Sequence, residues 1–320
     1  MLCSRVACLG MGVLLVAVAG AVVWGQTTAS NIGANPAGTS EYTIQTTSRL
    51  VLLDVSVKDR SGGFVSGLTK NDFKVYENGK LQQISQFSNA DVPVTVGIVV
   101  DESGSMRPKR PQVITAALVF NAASNPKDET FIINFNEKAR RGLPDNVLFS
   151  DNPLQLRNAL WQGDPEGRTA LYDAVEMALH QLDFGRQAKK ALVLISDGGD
   201  NHSTHTEHQV MQDVLSSLAT IYTVGVYDED DPEKNEGVLK KLAHVSGGVF
   251  YHPETLDDVV PICRKIAKDI RSRYTIGYIP SAEGKMVRHI KVEASSPEHP
   301  KTIVRTRTSY VFSDEPPQNP

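Results

Sequence analysis

Cysteine is nearly missing from this chain. Cys3 and Cys8 fall within the first 25 residues, which leaves Cys263 alone in the rest of the sequence. A lone thiol excludes an internal disulfide. Cys263 lies in an apolar-periodic segment, Leu256 to Ile270, where a buried structural cysteine is expected. Long runs of basic residues are missing as well. Together with a net charge of −4 over 320 residues, this argues against nucleic acid as a partner. No Gly-x-Ser-x-Gly elbow, Walker loop or His-Glu-x-x-His string occurs, so the common hydrolase and nucleotide-binding signatures are absent. There is no internal repeat.

What is present is ample apolar material, 40% of residues, and a length that suits about two domains. The N-terminus carries Arg5 and then an uncharged apolar stretch from Val6 to Trp24. Residues 1–25 therefore read as a secretion signal, with an uncleaved N-terminal membrane anchor as the alternative. Either reading places the folded part outside the cytoplasm: secreted, periplasmic or at the cell surface. Residues 26–42 are rich in Thr, Ser, Ala, Gly and Asn without a period, as in a flexible linker. Residues 313–320 are acidic and proline-rich and are expected to be a disordered tail.

Between these ends the pattern changes twice. Alternation marks strands at Leu50–Val57, Phe73–Tyr76 and Gln83–Phe87, the last two joined by a hairpin turn at Glu77-Asn78-Gly79-Lys80. From Val94 the strands become continuous apolar runs: Val94–Val100, Phe131–Phe135, Ala191–Ile195 and Ile221–Val226. They alternate with helical patterns at Val113–Ala123, Leu154–Trp161, Leu171–Leu182, Val210–Leu218 and Val238–Val245, and a last helix runs from Leu256 to about Ser272. Such strands between helices imply a mostly parallel sheet covered on both faces. Strands return at Tyr274–Tyr278, Val287–Val292 and Thr302–Arg305. Neither terminal set can bury a core alone. The expected architecture is thus a doubly wound α/β domain over residues 92–272. It is inserted in an antiparallel, sandwich-like module built from residues 43–91 and 273–312.

The chemistry sits at two strand ends. Asp101-Glu102-Ser103-Gly104-Ser105 follows the first continuous run and spaces a carboxylate and two hydroxyls by two, so all three point the same way on an extended chain. Ser196-Asp197-Gly198-Gly199-Asp200 ends another run, and Gly167-Arg168-Thr169 leads into a helix. Oxygen donors of this kind suit Mg²⁺, Mn²⁺ or Ca²⁺ better than zinc. This Asp-x-Ser-x-Ser, distant Thr and distant Asp set resembles the metal-ion-dependent adhesion site of the von Willebrand factor type A (VWA) domain. From Thr43 to Asp314 the chain is similar to the secreted bacterial VWFA-related, acidobacterial-type family. The resemblance implies a Rossmann-like VWA fold and metal residues Asp101, Ser103, Ser105, Thr169 and Asp197. Ser103, Ser105 and Thr169 would be direct ligands, with Asp101 and Asp197 acting directly or through water. The ion it implies is Mg²⁺ first, with Mn²⁺ or Ca²⁺ as alternatives.

An open position on such an ion would take an Asp or Glu carboxylate from a protein partner. Arg107, Lys109 and Arg110 follow the motif and are candidates to steer that partner. A structural envelope scaffold without metal-dependent binding is the alternative function, and a metal-assisted hydrolase the least favoured. Asp200 is expected to cap a helix or turn. His202, His205 and His208 are spaced by three and would spread around a helix, so a joint zinc site is not expected. Asp228, Glu229, Asp230 and Asp231 read as a solvated acidic loop, with a second Ca²⁺ site as the alternative.

Overall fold

A computed structural model describes residues 50–163, 165–228, 232, 234–281 and 284–312. The expected signal or anchor, linker and tail lie outside the described residues, as do Glu229, Asp230 and Asp231 of the acidic run. Among the described residues no helix is long and apolar enough to cross a membrane.

Strands come first: β1 (Val51–Lys58), β2 (Phe73–Glu77), β3 (Lys80–Gln82) and β4 (Ile84–Ser88). The central layer then runs β5 (Val94–Asp101), α1 (Arg110–Ala123), β6 (Glu129–Phe135), β7 (Ala139–Arg141), α2 (Pro153–Leu160) and α3 (Leu171–Asp183). It continues with β8 (Lys189–Ser196), α4 (Glu207–Ser216), β9 (Thr220–Gly225), α5 (Glu236–Ser246), β10 (Phe250–Tyr251) and α6 (Val259–Arg271). The chain closes with β11 (Tyr274–Tyr278), β12 (Val287–Ala294), β13 (Ile303–Arg305) and β14 (Ser309–Val311).

The central six-stranded sheet has the order β10-β9-β8-β5-β6-β7. All its pairings are parallel except that of the edge strand β7. Every residue of β5 and β6 is buried, which only a sheet covered on both faces allows. Helices α1 and α6 pack together, while α3, α4 and α5 pack in succession. The α/β expectation is met.

The terminal strands form two antiparallel sheets, β13-β1-β11-β4 and β14-β12-β2-β3, each using strands from both ends of the chain. Alternation makes this possible: β12 reads exposed, buried, exposed, buried along its whole length. Inner residues such as Leu53, Val55, Val75, Ile276 and Tyr278 fill a second core, separate from that of the central sheet. One detail differs from the sequence reading. Asn78 (φ 48°) and Gly79 (φ 80°) do make the hairpin turn, but it joins β2 to the three-residue β3. The Gln83–Phe87 stretch instead crosses to the other sheet, where Phe87 pairs with Ile276.

Candidate metal centre

The site grows from the middle of the central sheet. β5 and β8 are neighbours, and the connections that leave them run in opposite directions, to β6 and to β9, which opens a crevice beyond their carboxyl ends. Residues lining that crevice come from three loops, and each loop is fixed by its own hydrogen bonds.

Asp101 ends β5 and is buried. Its Oδ1 accepts the Ser103 N–H at 2.8 Å and its Oδ2 accepts the Ser196 hydroxyl at 2.6 Å. Both oxygens are therefore spent on holding the Ser103 loop and the end of β8 in register. The Ser103 and Ser105 hydroxyls face each other at 3.2 Å, and Ser105 Oγ donates to Asp197 Oδ2 at 2.6 Å. At the next turn the Gly198 N–H donates to Ser196 Oγ and the Gly199 N–H to Asp197 Oδ1. Gly198 has φ +80°, and a Cβ there would sit 2.3 Å from the Asn235 carbonyl oxygen. No side chain fits that corner.

Thr169 arrives from the third loop. Its N–H donates to Asn201 Oδ1 at 2.9 Å, while its carbonyl accepts the Asn201 and His202 amides, both at 3.0 Å. The following helix α3 has Ala170 at its N-cap and so lacks a capping side chain of its own. Ser203 Oγ supplies the cap from outside by accepting the Tyr172 and Asp173 amides, and it donates in turn to Asp200. Asp200 also accepts the Tyr172 amide, which fits the expected capping role.

The result is a cavity of about 260 Å³ lined by Ser103, Ser105, Thr169, Asp197, Arg168 and Asn201, with Gly104, Gly167 and Gly199 between them. Four of the five residues read from the sequence thus line one space, and the fifth, Asp101, supports it from below. Among the described residues no Lys or Arg pairs with Asp101 or Asp197. Burial first, and then the neighbouring Asp197 charge, push the Asp101 carboxyl up to about 7. Two close carboxylates without a counter-charge are an arrangement that a small cation relieves.

Other expectations divide. Arg107 is exposed and donates to the Pro165 carbonyl at 2.9 Å. Lys109 is not a rim residue: it is 2% exposed, and its ammonium turns inward to the Val226 carbonyl at 2.9 Å and Asp228 at 3.1 Å. Arg110 is also drawn in, toward Glu102. Of the three histidines only His208 belongs to α4, while His205 bonds Asp173 at 2.8 Å. Among the described residues no three His, Cys, Asp or Glu side chains gather at a metal-sized site. Sequence reasoning missed Asn201 and Glu102, which place Thr169 and its loop. Nothing about a lone Asn or a motif's spacer residue marks such roles in advance.

Residues 96–199 match the family model of the von Willebrand factor type A domain. A von Willebrand factor type A protein from Catenulispora acidiphila is similar in structure, with a TM-score of 0.50 at 13% identity, over 85% of this chain and 76% of that one. The vWF domain of the type V pili tip protein Mfa5 from Porphyromonas gingivalis aligns at TM-score 0.48 and 16% identity, over 57% of this chain and 96% of that one. Proximal thread matrix protein 1 from the mussel byssus, with a zinc-occupied MIDAS motif, aligns at 0.46 and 12%, over 57% and 48%. At 13% identity the likeness to the Catenulispora acidiphila protein shows the fold alone. No curated protein matches the sequence. The chain carries a von Willebrand factor type A domain, set within a β-module to which both termini contribute.

Proposed function

We propose that this is an extracytoplasmic binding protein that holds a divalent cation between Ser103, Ser105, Thr169 and Asp197. Through that ion it would recognise an Asp or Glu of a protein partner. One observation carries the reading: hydroxyls and a carboxylate from three separate loops line a single cavity, beside a second buried carboxylate that pairs with no Lys or Arg among the described residues.

The donor set fits a hard cation. It is all oxygen, it includes only two carboxylates, and it is small enough for Mg²⁺ or Mn²⁺. Ser103, Ser105 and Thr169 would be the ligands, while Asp101 and Asp197 orient them or act through water. Once bound, the ion would supply an electrophilic position that favours a partner's carboxylate. The chain's own part is to bring Ser103, Ser105 and Thr169 to one cavity beyond the end of the sheet. Arg168 lines the cavity and would add attraction for an acidic partner. Binding is favoured over hydrolysis because hydroxyls dominate the described lining, with Asp197 its single carboxylate, whereas metal-assisted hydrolysis usually gathers more carboxylates around the ion. The apolar stretch Val6–Trp24 supports export.

Calorimetric titration of Mg²⁺ and Mn²⁺ into the metal-stripped full chain tests the site. Ser105→Ala is expected to weaken binding about tenfold or more while circular dichroism stays native. Affinity in Ser105→Ala equal to that of the parent would remove the assignment.

A further inference from the structure

Resting on that metal-site reading, we infer that Glu102 is a positioning residue that clamps the Thr169 loop against the Asp101–Ser105 loop. Glu102 is the spacer inside the motif, yet only 1% of it is exposed. A carboxylate so deeply buried is stable only when paired. Its Oε1 accepts Arg110 Nη2 of α1 at 3.3 Å, and its Oε2 accepts Arg140 Nη2 of β7 at 3.1 Å. Its backbone is committed too: the N–H donates to the Phe135 carbonyl at 2.6 Å, and the carbonyl accepts the Glu166 N–H at 3.0 Å. One residue thereby touches α1, the end of β6, β7 and the segment that carries Thr169.

That segment joins α2 to α3, and its described residues, 161–163 and 165–170, belong to no helix or strand. It lies directly on the ion pair. A Cβ at Gly163 would fall 2.7 Å from Glu102 Oε2 and 2.9 Å from Arg140 Nη2, so a side chain there would displace the pair. Further along, the Gly104 N–H donates to the Gly167 carbonyl at 3.2 Å, and the Asn136 carbonyl accepts the Ala170 N–H at 2.7 Å. Arg140 Nη1 reaches Asn136 Oδ1 at 3.3 Å, so the clamp continues to the residue beside Thr169. Asn201 holds Thr169 from the β8 side, and the Glu102 clamp holds its loop from the β6 side. Removing the clamp weakens the hold on the Thr169 loop from the β6 side, while the Asn201 hold remains.

The test is calorimetric titration of Mg²⁺ into the metal-stripped full chain and three variants: Glu102→Gln, Thr169→Ala and the double substitution. Glu102→Gln is expected to lower affinity about tenfold or more, as loss of a residue that orients metal ligands does. Because it acts through Thr169, the double variant should bind no more weakly than Thr169→Ala alone. Parental affinity in Glu102→Gln overturns the inference, and so do effects that multiply. Arg140→Gln guards against misfolding, since Arg140 is half-exposed and its loss opens one arm of the clamp. A positioning role predicts weaker binding there. Were Glu102 only a source of negative charge, Arg140→Gln would leave binding equal or tighter, and that result overturns the inference. Amide exchange gives a readout that needs no cation. In the metal-stripped Glu102→Gln protein, Glu166 and Gly104 should exchange faster while the amides of β8 keep their protection. Unchanged protection at Glu166 and Gly104 overturns the clamp. If the parent binds no Mg²⁺, the metal reading falls and exchange alone decides the clamp.

Discussion

Cys263 has no exposed surface, and burial pushes its thiol up to about 12. Only the thiolate reacts, so this residue should be chemically silent in the folded state. Iodoacetamide at pH 8 is expected to leave the Cys263 peptide unmodified in native protein and to modify it fully in guanidinium, as read by peptide mass. Equal rates in both conditions would show that the thiol is not buried. Gly198 makes a different demand, because its positive φ and the nearby Asn235 carbonyl leave no room for a Cβ. Gly198→Ala should cost about 1–3 kcal/mol in denaturant unfolding, the usual range for forced backbone strain. An unshifted midpoint would mean that the 197–199 turn relaxes freely. Both residues were legible in the sequence, the cysteine from its place in an apolar period and the glycine from its place after a strand-end carboxylate. Lys109 was not. A lysine after a motif reads as surface, and only the tertiary fold supplies the Val226 carbonyl that draws its ammonium inward.

Elements show the same division. The continuous apolar runs that became β5, β6, β8 and β9 were readable because burial on both faces removes polar residues from a strand. Strands β7, β10 and β14 have two or three residues each, too few to show a period. The separation of β3 from β4 escaped for the same reason. What decides it is pairing with β2 on one side and β11 on the other, which are long-range contacts. The junction of α3 and α4 offers a test at this scale. Asp173 of α3 accepts the Thr204 and His205 amides and bonds His205 Nδ1. Its bond to Asp173 raises the His205 pKa above 6.5. Burial alone would raise Asp173, but the bonds from the His205 and Thr204 amides outweigh it and hold that carboxyl low. The signs bracket a window. The His205 contribution is complete below pH 6.5 and fades as pH rises through the folded value. The Asp173 contribution is complete above 3.8 and fades as pH falls below it. An NMR titration should place the His205 midpoint above 6.5 and return it toward 6.5 in Asp173→Asn. A parental midpoint at or below 6.5 would exclude the ion pair in solution.

At the scale of the whole molecule, one buried cluster joins the central domain to the β-module. Asp269, near the end of α6, accepts Ser56 Oγ of β1 at 3.1 Å and Tyr222 Oη of β9 at 2.6 Å. It also takes Arg273 Nη2 at 3.0 Å and pairs with Lys58 of β1 at 3.4 Å. Arg273 in turn donates to the Gly247 carbonyl at 2.8 Å, where α5 ends and its dipole is negative. Arg307 does the same for α4 through the Ser217 carbonyl. The β-module therefore holds the central domain by the carboxyl ends of three helices, and each of its sheets needs strands from both chain ends. Deleting residues 273–320 should expose residues 50–91 to protease, and unaltered resistance there would show that the N-terminal strands fold alone. The ionic cluster makes a sharper prediction. Burial would raise the Asp269 pKa, but Arg273, the Tyr222 hydroxyl and Lys58 outweigh it and hold the carboxyl at about 2. A folded value below the unfolded 3.8 means that this stabilisation is complete above pH 4 and is lost as pH falls toward 2. Asp269→Asn leaves Arg273 and Lys58 without their carboxylate and should cost about 3–5 kcal/mol at neutral pH. Its stability should also fall less steeply than the parent's between pH 4 and 2, because the group that titrates there is gone. Denaturant midpoints across that range decide the point. Parallel pH profiles for parent and variant would show that the cluster is not what ties α6 to the β-module.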